Sequence, residues 1–276
     1  MPYYLHRGHS LYYETYGTGD RHVVLLHGIL MDVDVNCFLA EALAASGYTV
    51  HLVDLLGHGK SDKPKDLSLL RMDQYAHQAV GLLDHLHVAS AVFGGVSLGA
   101  IVSLQVAVKH PKRVEALILE MPVLEHAVPG VVLLLAPVLL VNRFAPMLMR
   151  RVASVARKLP EGRHVAYRSL RVILSNSPRA TANILSGALV GPIAPTHDER
   201  HAIHAPTLVI GHPYDALHPF TDAEVLTKQL PNARFVSASS ILEFRTEPER
   251  LLGLVKDFLA SLPSGSTREP RNVTKH

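Results

Sequence analysis

Runs of uninterrupted apolar residues alternate along this chain with segments of helical periodicity, and that alternation constrains the fold more than any other feature. The apolar runs read "HVVLLHG", "YTVHLVDL", "SAVFGG", "VEALILE" and "PTLVIGH", and the segment "HRGHSLYYETYG" before them is predicted as one further strand. Strands that are apolar on both faces belong inside a parallel sheet that helices cover on both sides. The sequence therefore predicts an α/β fold with a mostly parallel central sheet and helices on both faces.

One long segment interrupts this alternation. Between "VEALILE" and "PTLVIGH", residues 122–204 contain several helical patterns and no convincing strand. We expect this segment to form a helical cap, inserted into a core made of residues 1–121 and 205–263. The polar stretch at residues 264–276, "SGSTREPRNVTKH", is predicted to be a disordered tail because it holds too few apolar residues to bury.

Composition narrows the class of protein. The chain has 27 Lys and Arg against 24 Asp and Glu, a formal charge of +3. Apart from "RRVASVARK" at residues 150–158 and the polar tail, the basic residues are scattered, and few aromatics lie among them, which argues against nucleic-acid binding. The single cysteine, Cys37, excludes an internal disulfide. The start, "MPYYLHRGHSLYY", lacks the apolar core of a secretory signal, so a cytoplasmic location is expected.

The longest apolar run is "AVPGVVLLLAPVLLV", residues 127–141. A membrane-spanning helix needs about 20 such residues. This run is shorter, and Pro129 and Pro137 interrupt it. We therefore expect no transmembrane segment, and interpret the run as a buried or groove-lining helix.

The pattern G-x-S-x-G occurs once in a setting that favours chemistry. In "GGVSLG" the serine is Ser97, flanked by Gly95 and Gly99, after a predicted strand and before a predicted helix. A nucleophile elbow requires this strand–turn–helix context, since the tight turn needs small neighbours. The alternative is that Ser97 is simply a small residue that allows close packing.

Over residues 10–262 the chain resembles the α/β-hydrolase superfamily, through "LLHGIL", "VDLLGHGKSDKP", "GVSLGA" and "APTLVIGHPYDALHP". The resemblance implies that Ser97 is the nucleophile and Asp215 the triad acid. It also implies that the backbone N–H groups of Ile29 and Leu98 form the oxyanion hole, with no metal or cofactor. Glu120 is a rival acid, since it too ends a predicted strand.

The base of the triad is not evident from the sequence. In this family a histidine usually follows the last strand, but the matching positions here are Ser240 and Ile241, and no histidine occurs between His218 and His276. Three explanations remain open. His218 acts from the acid's own loop, a histidine of the cap reaches Ser97, or the protein has no base. The cap candidates are His126, His197, His201 and His204.

Two functions follow from these alternatives. The first is a serine hydrolase, an esterase-type enzyme acting on a small apolar ester, thioester or lactone with an atypical base. The second is a non-hydrolytic member of the fold, either a ligand-binding protein or a cofactor-free lyase or cyclase. An imidazole nitrogen at about 3 Å from Ser97 Oγ favours the hydrolase.

Overall fold

The computed structural model describes residues 2–160, 162, 165–215 and 217–263. An eight-stranded sheet forms its centre, in the order β1-β2-β4-β3-β5-β6-β7-β8. The strands β3 to β8 pair in parallel, and β2 runs antiparallel to both β1 and β4. The mostly parallel sheet predicted from the sequence is confirmed. The strands are β1 (Tyr3–His6), β2 (His9–Tyr16), β3 (Arg21–Leu26), β4 (Tyr48–Val53), β5 (Ala91–Val96), β6 (Val114–Glu120), β7 (Thr207–Gly211) and β8 (Ala233–Ser237).

Helices cover both faces of this sheet, and short 3₁₀ turns occupy Val33–Asn36, Leu67–Leu70 and Pro111–Arg113. The α-helices are α1 (Cys37–Ala44), α2 (Met72–His85), α3 (Leu98–Lys109), α4 (Val128–Phe144), α5 (Pro146–Lys158), α6 (Val165–Ser175), α7 (Pro178–Ala188), α8 (His197–His201), α9 (Phe220–Gln229), α10 (Glu243–Thr246) and α11 (Glu249–Ser261).

The alternation of side chains along each strand divides the core into two layers. In β3, Val24 and Leu26 face the layer formed by α2, α3 and α9. Val23 and Leu25 face the opposite layer, formed by α1 and α11. All four side chains are buried, as expected for a strand covered on both faces. This double cover explains why the sequence of β3 is uniformly apolar rather than alternating.

The amino-terminal edge differs from the sequence interpretation. The segment "HRGHSLYYETYG" was predicted as one strand, but the chain reverses within it. Arg7 and Gly8 both have positive φ, at 50° and 79°, as the two central residues of a tight hairpin turn require. The prediction of one continuous strand is therefore wrong, and β1 and β2 form a hairpin at the sheet edge.

In its described part, the segment between β6 and β7 forms helices joined by turns and loops, without a strand. It contains α4 to α8, and α4 and α5 are joined at Ala145. No single helix in the described ranges is long and apolar enough to cross a membrane. Among the described helices, only α4 and α5 taken together reach that length and composition, and a bend of 105° separates them. The predicted tail, residues 264–276, lies outside the described residues.

Candidate active site

Ser97 occupies a sharp turn between β5 and α3. Its backbone has φ 55° and ψ −109°, a left-handed conformation that is costly for a residue with a side chain. Its N–H is held by the carbonyl of Glu120 at 2.9 Å. Gly95 and Gly99 allow the turn, because a Cβ on either would collide with the carbonyl oxygen of Leu26. The strain and the two close approaches explain why the sequence reads G-x-S-x-G here.

The start of α3 presents a backbone donor beside the serine. Leu98 is the first residue of α3. The side chain of Ser97, which precedes it, forms no capping hydrogen bond with this helix. The N–H groups of a first helical turn lack intrahelical partners, so they favour negative charge. Ile29 lies in the loop after β3 and lines the same cavity as Ser97 and Leu98. Both backbone groups expected for an oxyanion hole therefore belong to residues around one site.

Asp215 and His218 lie together in the loop that follows β7. One oxygen of Asp215, Oδ1, accepts hydrogen bonds from the backbone N–H groups of Leu217 at 2.8 Å and His218 at 3.2 Å. The other oxygen, Oδ2, lies 2.8 Å from His218 Nδ1. Burial raises the pKa of Asp215, but the bond from His218 and the backbone bonds outweigh it, so the net pKa lies below its usual value. The carboxylate thus stabilises both the turn and the ring.

The imidazole of His218 connects this loop to the serine turn. His218 Nε2 lies 2.9 Å from Ser97 Oγ, across 121 residues of chain. With Nδ1 directed at Asp215, Nε2 is free to accept a proton. Ser97, His218 and Asp215 therefore form a continuous chain of side-chain contacts. Because β5 and β7 are parallel strands of one sheet, the loops after them meet at the same edge.

The other histidines considered from the sequence make contacts elsewhere. His126 Nδ1 lies 2.8 Å from Asp222 Oδ1. His197 and His201 contact each other at 3.2 Å between their Nε2 atoms. The carbonyl of His204 accepts from Asn232. The imidazole that the structure places against Ser97 is that of His218.

Glu120, the rival acid, belongs to a separate buried cluster. Its Oε2 accepts from Arg245 at 2.8 Å, and its Oε1 lies 3.1 Å from His212 Nε2. Burial raises the pKa of Glu120, but the charge of Arg245 and the contact with His212 outweigh it and lower the pKa to about 2. His212 Nδ1 also contacts the carbonyl of Ser240, after β8. The cluster therefore ties the ends of β6, β7 and β8 together next to the Asp215 loop.

The cavity above Ser97 is almost entirely apolar. Its volume is about 390 Å³, and it lies between the serine turn and the helices α4 and α7. Ser97 and His218 supply its polar side chains, and aliphatic groups and methionines form the rest of the wall. Such a wall suits a hydrocarbon chain. The lining includes Met31, Met72, Ile101, Met121, Val131, Leu135, Val138, Leu185, Ala188, Ile193 and Leu217.

In the described ranges, no group of three or more His, Cys, Asp or Glu side chains is arranged to hold a metal ion. Three features of the site had no signal in the amino-acid sequence. These are the pairing of Glu120 with Arg245 and His212, the contribution of Met121 to the cavity, and that of Leu217. Each depends on contacts between segments distant in the sequence.

Comparison with known proteins assigns the family. Residues 21–240 match the family described as the alpha/beta hydrolase fold. The match covers most of the chain, so the chain belongs to the alpha/beta hydrolase family. Among solved structures, the enol-lactonase from Burkholderia xenovorans LB400 superposes with a TM-score of 0.75 at 22% identity, covering 94% of this chain and 100% of that one. A thermophilic esterase from Thermogutta terrifontis gives 0.70 at 24% identity, covering 95% and 98%.

More similar sequences match over a shorter range. The pimeloyl-acyl-carrier-protein methyl ester esterase of Klebsiella pneumoniae (strain 342) is 39% identical over 110 residues, which are 40% of this chain and 39% of that one. The enzyme of the same name from Salmonella heidelberg (strain SL476) is 38% identical over 109 residues. The matched segment thus spans about two fifths of the curated relatives' length.

Proposed function

We propose that this protein is a carboxylic ester hydrolase for substrates with an apolar acyl group, whether ester, thioester or lactone. The observation that carries the proposal is the distance of 2.9 Å between His218 Nε2 and Ser97 Oγ. A serine hydroxyl is a weak nucleophile at neutral pH unless a base within hydrogen-bond distance takes its proton. This distance favours the hydrolase over a non-hydrolytic member of the fold.

The proposed reaction has two steps. In the first, Ser97 Oγ attacks the acyl carbonyl carbon while His218 Nε2 takes the hydroxyl proton. The same nitrogen then gives that proton to the leaving alcohol, which leaves an acyl-enzyme. In the second step a water gives a proton to His218 and attacks the acyl carbon, and Ser97 recovers its proton as the acid departs.

Asp215 and the backbone donors stabilise the charges that arise. The carboxylate, 2.8 Å from Nδ1, fixes the tautomer that leaves Nε2 unprotonated and then stabilises the imidazolium. We assign the oxyanion hole to the N–H groups of Leu98 and Ile29. Each such donor typically contributes a few kcal/mol to the transition state, about 2.7–4.

The apolar cavity supports an aliphatic acyl chain as the group recognised. The names of the curated relatives, which are esterases of a carrier-bound pimeloyl methyl ester, agree with an acyl ester as substrate. Each methylene transferred from water into such a cavity contributes up to about 0.8 kcal/mol. We therefore expect kcat/KM to rise by up to about fourfold per added methylene until the cavity is filled.

A series of p-nitrophenyl esters, from acetyl to dodecanoyl, tests this function. We expect hydrolysis that rises with chain length and is abolished by Ser97→Ala, whereas Ser46→Ala, on an exposed serine after α1, changes nothing. Ala188 lines the cavity, so Ala188→Leu, which fills part of it, should lower the rate of hydrolysis of the longest esters and leave the rate on the acetyl ester unchanged. Failure of the wild-type protein to hydrolyse any ester of the series, thioester analogues and lactones included, contradicts the proposal.

A further inference from the structure

The outer side of α4 is an apolar surface that nothing in the described structure covers. Its side chains recur at helical spacing along one face of α4 and continue onto the start of α5. Leu133 and Phe144 are 78% and 79% exposed, and Met147 is 71% exposed. We call this surface the cap face; it consists of Leu133, Pro137, Leu140, Val141, Phe144, Met147 and Leu148.

Such a surface is unusual for a protein in water. Isolated exposed apolar residues are common, but a contiguous row of large ones marks an interaction site. The sequence of α4, "VPGVVLLLAPVLLVNRF", has no charged residue before Arg143. Within the described structure the cap face also offers no side-chain hydrogen-bonding group. A protein partner would need about one hydrogen bond per 100–200 Å² of interface, whereas a hydrocarbon phase needs none.

Basic residues border the cap face. From residue 126 to residue 197 the chain has nine Lys and Arg and one carboxylate, Glu161, which lies outside the described residues. The rest of the chain has 18 Lys and Arg against 23 Asp and Glu. The positive charge of the protein is therefore concentrated in the segment of the chain that carries the cap face. In the described ranges, Arg143, Arg150 and Arg151 form no ion pair with a carboxylate.

A cleft beside the corner of α4 and α5 brings three of these cations together with Lys65. It has a volume of about 610 Å³ and is lined by Lys65, Arg143, Arg150 and Arg179, with no carboxylate among its lining residues. Ser177 and Pro178, at the start of α7, complete one wall. Unpaired guanidinium and ammonium groups around one opening favour phosphate oxygens.

We propose that the cap face docks the protein on an anionic phospholipid bilayer. The apolar side chains insert among the acyl chains, and the basic cleft takes lipid phosphates. Amphipathic helices that bind membrane surfaces combine an apolar face with Lys and Arg in this way. The bend of 105° between α4 and α5 does not prevent both from docking, because two helix axes that meet at Ala145 lie in one plane.

The position of the catalytic cavity agrees with this docking. Val132 and Leu134 line the cavity, and they are also 41% and 50% exposed, so the cavity opens along α4. These two residues adjoin Leu133 of the cap face. An amphiphilic ester held in a bilayer would therefore reach Ser97 through an apolar mouth without crossing water.

Flotation with vesicles tests the proposal. We expect the wild-type protein and Ser97→Ala to float with vesicles of equimolar phosphatidylglycerol and phosphatidylcholine, and to float far less with phosphatidylcholine alone. The double variant Leu140→Ser/Phe144→Ser should lower the bound fraction at least about tenfold. Arg150→Glu/Arg151→Glu should lower it by a similar factor. The use of Ser97→Ala separates docking from hydrolysis, so docking can be tested even if the proposed function fails.

Matched controls keep the result interpretable. Leu5 is 78% exposed on β1, and Lys112 is exposed after α3. Leu5→Ser and Lys112→Glu should float like the wild-type protein. Circular dichroism, and hydrolysis of the soluble acetyl ester where the wild type shows it, establish that the cap-face variants are folded.

Four outcomes overturn the proposal. The first three are that the wild-type protein does not float, that it floats equally on both vesicle types, and that the cap-face variants float like the wild type. The fourth is a different occupant. A dimer that Phe144→Ser separates, or retention on an immobilised acidic acyl carrier protein, in either case without flotation, would assign the cap face to a protein.

Discussion

Asp215 and His218 lie three residues apart in one loop, and Asp215 Oδ2 meets His218 Nδ1 at 2.8 Å. The same carboxylate holds the turn between them through backbone N–H groups. The proposed acid and the proposed base are thus positioned by a single loop, and the segment after β8 contributes neither. The geometry of the proposed triad therefore depends on how this one loop is held against the sheet.

Replacing the imidazole of His218 tests whether the base is His218 or lies at the position where the family usually has one. We expect His218→Ala to lower ester turnover by at least about 10⁴-fold, because no group is left to take the serine proton. Ile241→His should leave turnover nearly unchanged, and so should His201→Ala, a control on α8. The measurement is kcat on an ester that the wild type hydrolyses. A gain from Ile241→His together with no loss from His218→Ala would contradict the assignment.

Two substitutions at Asp215 separate its two contacts. Asp215→Asn keeps an oxygen for the N–H of Leu217 but loses the negative charge, so kcat should fall about 10⁴-fold with little change in stability. Asp215→Ala also removes the turn contact and should cost about 1 kcal/mol more in the free energy of unfolding. Thermal unfolding and kcat are measured on both. Equal kcat for Asp215→Asn and the wild type would show that Asp215 stabilises the turn and takes no part in catalysis.

The buried Glu120 cluster predicts a dependence of stability on pH. The pKa of Glu120 is lowered from 4.5 to about 2 in the folded protein. A lowered folded pKa stabilises the protein above pH 4.5, and this stabilisation is lost as pH falls towards 2. Glu120→Gln should destabilise the protein by about 3 kcal/mol at neutral pH, because Arg245 and His212 lose their charged partner.

The same variant should weaken the acid dependence. Between pH 4.5 and about 2, the midpoint of thermal unfolding of Glu120→Gln should fall less steeply than that of the wild type. Glu41→Gln, on an exposed residue of α1, should retain the wild-type slope. Parallel curves for Glu120→Gln and wild type would show that Glu120 is not held ionised by its partners.

The sequence predicted the parts of this protein that depend on local patterns. The strands β3 to β7 were recognisable because burial on both faces makes them continuously apolar. The helix predicted after Ser97 is α3, which begins at Leu98 because its start is fixed by the strained serine turn. The hairpin turn at Arg7 and Gly8 was not predicted. Gly8 is the one residue there that favours a turn, and no interruption of an apolar run marks the position.

The parts that remained open depend on contacts across the sheet. The sequence allowed His218, several cap histidines or no base, because a spacing of three residues does not fix the direction of a side chain. Only the fold brings the loops after β5 and β7 together. In the same way, Glu120 and Arg245 are 125 residues apart, and no local pattern connects them. The roles assigned to Ser97, His218 and Asp215 stay predictions that the experiments above test.

Covalent labelling tests the central claim most directly. A fluorophosphonate reacts with a serine whose hydroxyl is activated by a base, so the wild-type protein should acquire one adduct, which peptide mass spectrometry should locate on Ser97. Ser97→Ala should not be labelled, and His218→Ala should be labelled at least about 10³-fold more slowly. Labelling that persists in Ser97→Ala, or that proceeds at the wild-type rate in His218→Ala, would contradict the proposed Ser97–His218 pair.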